Sequence, residues 1–155
     1  MTTETAIPIK TENKNPSLES FALKFRKVLF GDDLDGFMQL FNNDAVWTFM
    51  ATGEKFTGIE EIRKGGAKAM TGRVHTKDFH MEGKNLFWSD EWVCIEYLHH
   101  CLAPEHAIIS GSPKAGTEIA LPICITMHIK NGKIDTFNEY LNLATITGKK
   151  ETLFS

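Results

Sequence analysis

Leu121–Ala144 reads LPICITMHIKNGKIDTFNEYLNLA, and this stretch decides the fold. Two apolar-rich runs flank Asn131-Gly132, the dipeptide that most readily closes a tight β-hairpin, because both residues tolerate positive φ. By the two-residue period of a strand, Phe137, Glu139 and Leu141 share one face. A single acid between two large apolar side chains stands either at a surface edge or in a pocket.

Outward from this hairpin, 155 residues suffice for one domain with a core, not for two. A net charge of -3 argues against nucleic acid or an anionic membrane as partner. Eleven Phe and three Trp supply apolar area for a core or a hydrophobic pocket. The three cysteines, Cys94, Cys101 and Cys124, are odd in number and form no Cys-x-x-Cys pair. Reduced thiols fit better than a disulfide scaffold or zinc site. The opening MTTETAIPIKTENKNPS lacks an apolar core of signal-peptide length, and no apolar run spans a bilayer, so a cytoplasmic protein is expected.

The N-terminal half reads as helical. Residues 1–14 form a polar, flexible arm. Asn15-Pro16 starts a helix whose apolar face carries Leu18, Phe21, Ala22, Phe25, Val28 and Leu29. Gly31-Asp32-Asp33 ends it and can cap a second helix bearing Leu34, Phe37, Met38 and Phe41. Asn42-Asn43-Asp44 reads as a turn and Ala45–Met50 as a short strand. After a turn at Thr52-Gly53-Glu54, Gly58 leads into a third helix, Ile59–Met70, weakened by Gly65-Gly66.

From about Thr76 the pattern is β: HTKDFHMEGKNLFW, a turn at Ser89-Asp90-Glu91, then WVCIEYLHHC. Leu102–Thr117 is a long excursion, Glu118–Ile129 the next strand, and 147–155 a polar tail. The order helix, helix, strand, helix, then a run of long hairpin-connected strands predicts an α+β fold. Helices cover one face of a curved antiparallel sheet and leave an apolar pocket partly open.

Three segments, GDDLDGFMQLFNNDAVWTF, FTGIEEIRKG and MHIKNGKIDTFNEYLNL, resemble the cone-shaped nuclear-transport-factor-2-like superfamily. More narrowly, the chain resembles its SnoaL-like branch, over about Ser17–Ala144. The branch includes ketosteroid isomerase, polyketide cyclases, limonene epoxide hydrolase and the phenazine-biosynthesis A/B proteins. The resemblance implies one such domain over 15–146. The isomerase's base falls at Phe49, its oxyanion-holding Tyr at Phe25, and its partner acid at Cys124 or Ile125. None of these is an acid or Tyr, so that mechanism does not carry over. The epoxide hydrolase's Arg and first Asp fall near Tyr97 and His99, and its last Asp at Glu139; the Arg is missing. The phenazine proteins and SnoaL-like cyclases also place an acid at the Glu139 position. The helix histidine of the phenazine proteins falls near Gly65-Gly66.

These positions give Glu139 as the catalytic acid/base, its pKa raised by burial between Phe137 and Leu141. His99 and Tyr97 are its candidate partners. A register slip of one residue would put Glu96 and His100 in their place. Trp47, Phe49, Phe25, Phe137 and Cys124 are candidate substrate-binding residues, although each reads equally as core. The apolar neighbours of Cys124 predict an inert thiol. His75, His80, His106 and His128 are scattered, and His99 and His100 point opposite ways, so no metal is expected. No phosphate loop or dinucleotide fingerprint occurs, and no cofactor is expected.

The expected function is a cofactor-independent isomerase, cyclase or lyase moving a proton on an apolar, cyclic small molecule. The alternatives are a non-catalytic binder of the same fold or an epoxide-hydrolase-like enzyme. The family commonly pairs through the outer face of its sheet, which implies a homodimer.

Overall fold

The computed structural model describes residues 16–31, 33–67, 80–102, 114 and 116–142. The arm, Asn15, His75, His106, the C-terminal tail and most of the 102–117 excursion lie outside the described residues.

Helix α1 spans Pro16–Leu29 and buries Leu18, Phe21, Ala22, Phe25 and Leu29, the face its spacing predicts. Its end is closed at Gly31, whose N–H donates to Lys27 O at 3.1 Å. Helix α2 is only Leu34–Met38, capped by Asp33, whose Oδ1 accepts from Gly36 N at 2.8 Å. The expected second helix is therefore shorter than its apolar pattern, and Phe41 opens strand β1, Phe41–Phe49. Asn42–Asp44 is part of that strand, not a turn. Asn42 Nδ2 reaches across to Lys130 O at 3.2 Å and Lys133 O at 3.4 Å, tying β1 to the hairpin.

Strand β2, Glu54–Thr57, folds back antiparallel on β1. Helix α3, Ile59–Ile62, runs into a π-helical turn, Arg63–Ala67; residues 68–70 of the expected helix lie outside the described residues. The turn passes so close to Trp47 that position 66 takes only glycine: a Cβ there would come within 2.7 Å of the Trp47 ring. Such overlap is incompatible with close packing.

Strands β3 (His80–Ser89), β4 (Trp92–Leu102), β5 (Glu118–Lys130) and β6 (Lys133–Leu141) complete the sheet. The β5–β6 turn has Asn131 at φ 52° and Gly132 at φ 75°, the left-handed pair that Asn-Gly predicts. The strand order is β2-β1-β6-β5-β4-β3. Pairing is antiparallel except between β1 and β6, which run parallel. The all-antiparallel expectation is corrected at that one join. Register shifts at Phe41/Val46, Gly83/Asn85 and His128/Ile129 bend the sheet, which is curved and unclosed.

The inner face carries the core. One row across it is Trp47–Phe137–Met127–Val93–Trp88, and the next is Phe49–Glu139–Ile125–Ile95–Leu86. Helix α1 packs over these rows through Phe25, whose ring lies 6.3 Å from that of Phe137. No helix among the described residues is long and apolar enough to cross a membrane.

Candidate functional site

Strand alternation on β6 buries Phe137 and Glu139, whereas Tyr140 projects outward at 42% exposure; Ile134 is buried too, on the far side of a register shift. Glu139 is 2% exposed, and together with His99, at 1%, it makes up the buried polar or charged set among the described residues. Its backbone is fixed from both sides. Ile125 on β5 and Phe49 on β1 are its register partners, and its carbonyl accepts from Met50 N at 2.9 Å. Removing a carboxylate from water works against its charged form. Of the two alternatives the sequence leaves for Glu139, the exposed edge is excluded, because the side chain is buried in the inner face of the sheet.

The register also decides between the two faces of β4. Tyr97 pairs with Ile123, and Ile95 with Ile125, which pairs in turn with Glu139. Tyr97, 2% exposed, and His99 thus share the face of Glu139. Glu96 and His100 lie on the other side, so the slipped alternative is excluded. Tyr97 lies two strands over from Glu139, about 10 Å across the sheet, and two residues along it. His99 is two residues further along and pairs with Leu121. The ring of Phe30, at the end of α1, meets Tyr97 edge-on at 6.0 Å. Tyr97 Oη, His99 Nε2 and Glu139 Oε1 are all shut off from solvent.

Trp47, Phe137 and Phe25 sit at 0% exposure. The Trp47 and Phe137 rings are 4.2 Å apart, and Phe37 and Phe41 close the group. Phe49 is half-buried on the inner face beside Glu139. Cys124 is a correction. Its partners across the sheet are Glu96 and Tyr140, which puts it on the outer face and away from Glu139. The inward residue is Ile125. The sequence left a one-residue gap between these two, and on a strand one residue reverses the side chain.

The sequence passed over several features. Arg26 on α1 has its Nε shielded from solvent. On the outer face, His80 and His100 stack at 4.0 Å, and His100 Nε2 lies 3.3 Å from Glu82. Glu82 is held below its ordinary range by Lys84 first and His100 second. His128 Nδ1 meets Asp135 at 2.7 Å and its Nε2 meets Glu91 at 3.1 Å. The Asp135 bond raises the His128 pKa above its ordinary value, partly opposed by burial and helped by Glu91. No cluster of three or more His, Cys, Asp or Glu among the described residues could hold a metal ion.

A model of the SnoaL-like domain matches residues 22–136, so the family match runs from within α1 into β6 and ends three residues before Glu139. The chain belongs to the SnoaL-like domain family. Solved SnoaL-like structures share its fold. One from Shewanella putrefaciens, described as a polyketide cyclase, is 14% identical with a TM-score of 0.67, over 88% of this chain and 96% of its own. A second, from Shewanella denitrificans, is 17% identical with a TM-score of 0.67, over 86% and 96%. A protein with a ketosteroid isomerase-like fold from Catenulispora acidiphila, in complex with trimethylamine, is 21% identical. Its TM-score is 0.58, over 86% of this chain and 91% of its own. At these identities the likeness is one of fold. No curated protein matches the chain.

Proposed function

We propose that this SnoaL-like protein is a cofactor-independent enzyme that moves a proton on an apolar, cyclic small molecule. Isomerisation, cyclisation and elimination all belong to that class. Glu139 is the acid/base, and Tyr97 and His99 orient the substrate or share the proton. The observation that carries this reading is the burial of Glu139 at 2% exposure between Phe49 and Ile125, on the face that also carries Tyr97 and His99. Removing a carboxyl group from water strengthens it as a base once it is ionised. Trp47, Phe49, Phe25 and Phe137 supply the apolar wall. The trimethylamine bound by the Catenulispora relative supports a small-molecule site in this fold.

Proton transfer to and from carbon leaves a signature in heavy water. Cyclic ketones and enones incubated with the protein in D2O should gain deuterium, read by mass spectrometry. Glu139→Gln should reduce that exchange by about 100-fold or more while preserving the circular dichroism spectrum. Undiminished exchange in the variant would remove Glu139 from the mechanism.

One observation favours a second reading, a binding protein without chemistry. The inner-face neighbour of Glu139 on β1 is Phe49, where the isomerase relatives carry their base. Tight binding of the same ketones with no deuterium uptake would favour it.

Pairing of two copies through the outer face belongs to the same proposal. Phe87, Trp92 and Tyr140 stand there at 43%, 45% and 42% exposure. A twofold contact over this face would take their apolar surface out of water. Light scattering should give twice the protomer mass, and Trp92→Glu should shift it toward one. The cytoplasm, where the thiols stay reduced, is the compartment that suits this reading.

A further inference from the structure

The thiols of Cys94 and Cys124 meet on the outer face of the sheet, with their sulfurs 3.6 Å apart. They belong to neighbouring antiparallel strands. Cys94 on β4 pairs with Thr126 and Cys124 on β5 with Glu96, so the two cysteines are diagonal neighbours. Both are half-buried, and Cys101 is buried at 8% exposure. Cys124 also lines a groove of about 400 Å³, along with Lys84, Glu96, Leu98, Pro122 and Tyr140. Cys94 does not line it. The groove therefore brings a small reagent to Cys124, with the Cys94 sulfur beside it.

We propose that Cys94 and Cys124 form a peroxide-reactive dithiol, in which Cys124 reacts first and Cys94 resolves it into a cross-strand disulfide. Hydrogen peroxide is the oxidant. The Cys124 thiolate attacks one peroxide oxygen and the O–O bond breaks. Cys124 becomes a sulfenic acid, and hydroxide leaves to be protonated to water. The Cys94 sulfur then attacks the Cys124 sulfur, the S–O bond breaks, and a second water departs with the Cys94 proton. In sum, two thiols and one peroxide give one disulfide and two waters. The sulfurs must close from 3.6 Å to the bonded distance of about 2.05 Å. Diagonal neighbours sit near the upper limit of disulfide reach, so side-chain rotation together with a small shift of β4 against β5 supplies that movement.

The order of events follows from access and is supported by the bond between the thiols. The hydrogen bond shared with Cys94 holds the Cys124 thiol below its ordinary range, against burial and the charge of Glu96. The same bond, and then burial, raises Cys94. The thiolate is the nucleophile, so the lowered and groove-lining sulfur leads. Glu96 is itself engaged by Asn85 Nδ2 at 2.7 Å.

The test treats the full chain with hydrogen peroxide, which is small enough to reach the sulfurs even with a second copy against this face. Remaining thiols are then alkylated and the protein is mapped by mass spectrometry. Wild type should lose two thiols and yield a Cys94–Cys124 linked peptide, with Cys101 still alkylated and the disulfide reversed by dithiothreitol. Cys94→Ser should stop at the sulfenic acid on Cys124, trapped by dimedone. Cys124→Ser should slow oxidation of Cys94 on the order of tenfold or more. The proposal is overturned if both thiols stay free while Cys101 oxidises, if the only disulfide joins two chains, or if Cys94 reacts as fast in Cys124→Ser as in wild type.

Discussion

Glu139 shows how far a single residue can be read. Period two on β6 is enough to group it with Phe137, and the fold agrees, with Phe137 at 0% and Glu139 at 2% exposure. Cys124 shows the limit. Its strand alternates as cleanly, but alternation names two faces without saying which is inside, and family alignment left a gap of one residue there. The cross-strand register resolves it, and register is a property of two strands. Titration belongs to this scale too. His128 has its folded pKa raised from 6.5 by Asp135 and then Glu91. A raised pKa on a base means that the stabilisation is fully present below 6.5 and fades as pH rises through the folded value. Asp135→Asn should therefore lower the His128 midpoint in an NMR titration. The stability gap between wild type and that variant should be wider at about pH 6 than at about pH 9. An equal gap at both would show that the ion pair carries no pH-dependent stability.

At the scale of elements, the strongest local signals held. Asn131-Gly132 gives the hairpin because it supplies two positive φ values, and α1 follows from apolar residues at three and four. Local chemistry failed where it was used for something else. Asn42–Asp44 has turn composition, yet Asn42 spends its amide on the hairpin carbonyls of Lys130 and Lys133. Strand β2 escaped notice because Glu54–Thr57 is four residues long and almost wholly exposed, with no buried face to alternate. Two glycines separate two kinds of constraint. At Gly66 an added Cβ would lie 2.7 Å from the Trp47 ring, so Gly66→Ala should destabilise by roughly 1–3 kcal/mol through overpacking. At Gly132 nothing lies within 4 Å but φ is +75°, so Gly132→Ala should lose only about 1 kcal/mol, a backbone effect. Urea unfolding of both variants checks the order. A larger loss at Gly132 would contradict the packing of the π-helical turn against Trp47.

For the whole molecule, the order of helices and strands is legible apart from β2, and the parallel joining of the sheet is not. The parallel pairing of β1 with β6 joins segments about ninety residues apart, Val46 with Thr136 and Phe49 with Glu139. No local pattern encodes that contact, yet it is what sets Glu139 beside Phe49 and at the centre of the inner face. Fold and site therefore have different sources: the fold comes from patterns along the chain, and the site from a pairing across it. The central claim is that this inner face, through Glu139, handles a small apolar molecule. A crystal structure with a bound cyclic ketone tests it most directly. The ketone should lie over Ile125 and Ile95, its exchangeable carbon within hydrogen-bonding reach of the Glu139 carboxyl, about 3 Å. A ketone seated only in the outer groove beside Tyr140, with the inner face unchanged, would contradict it.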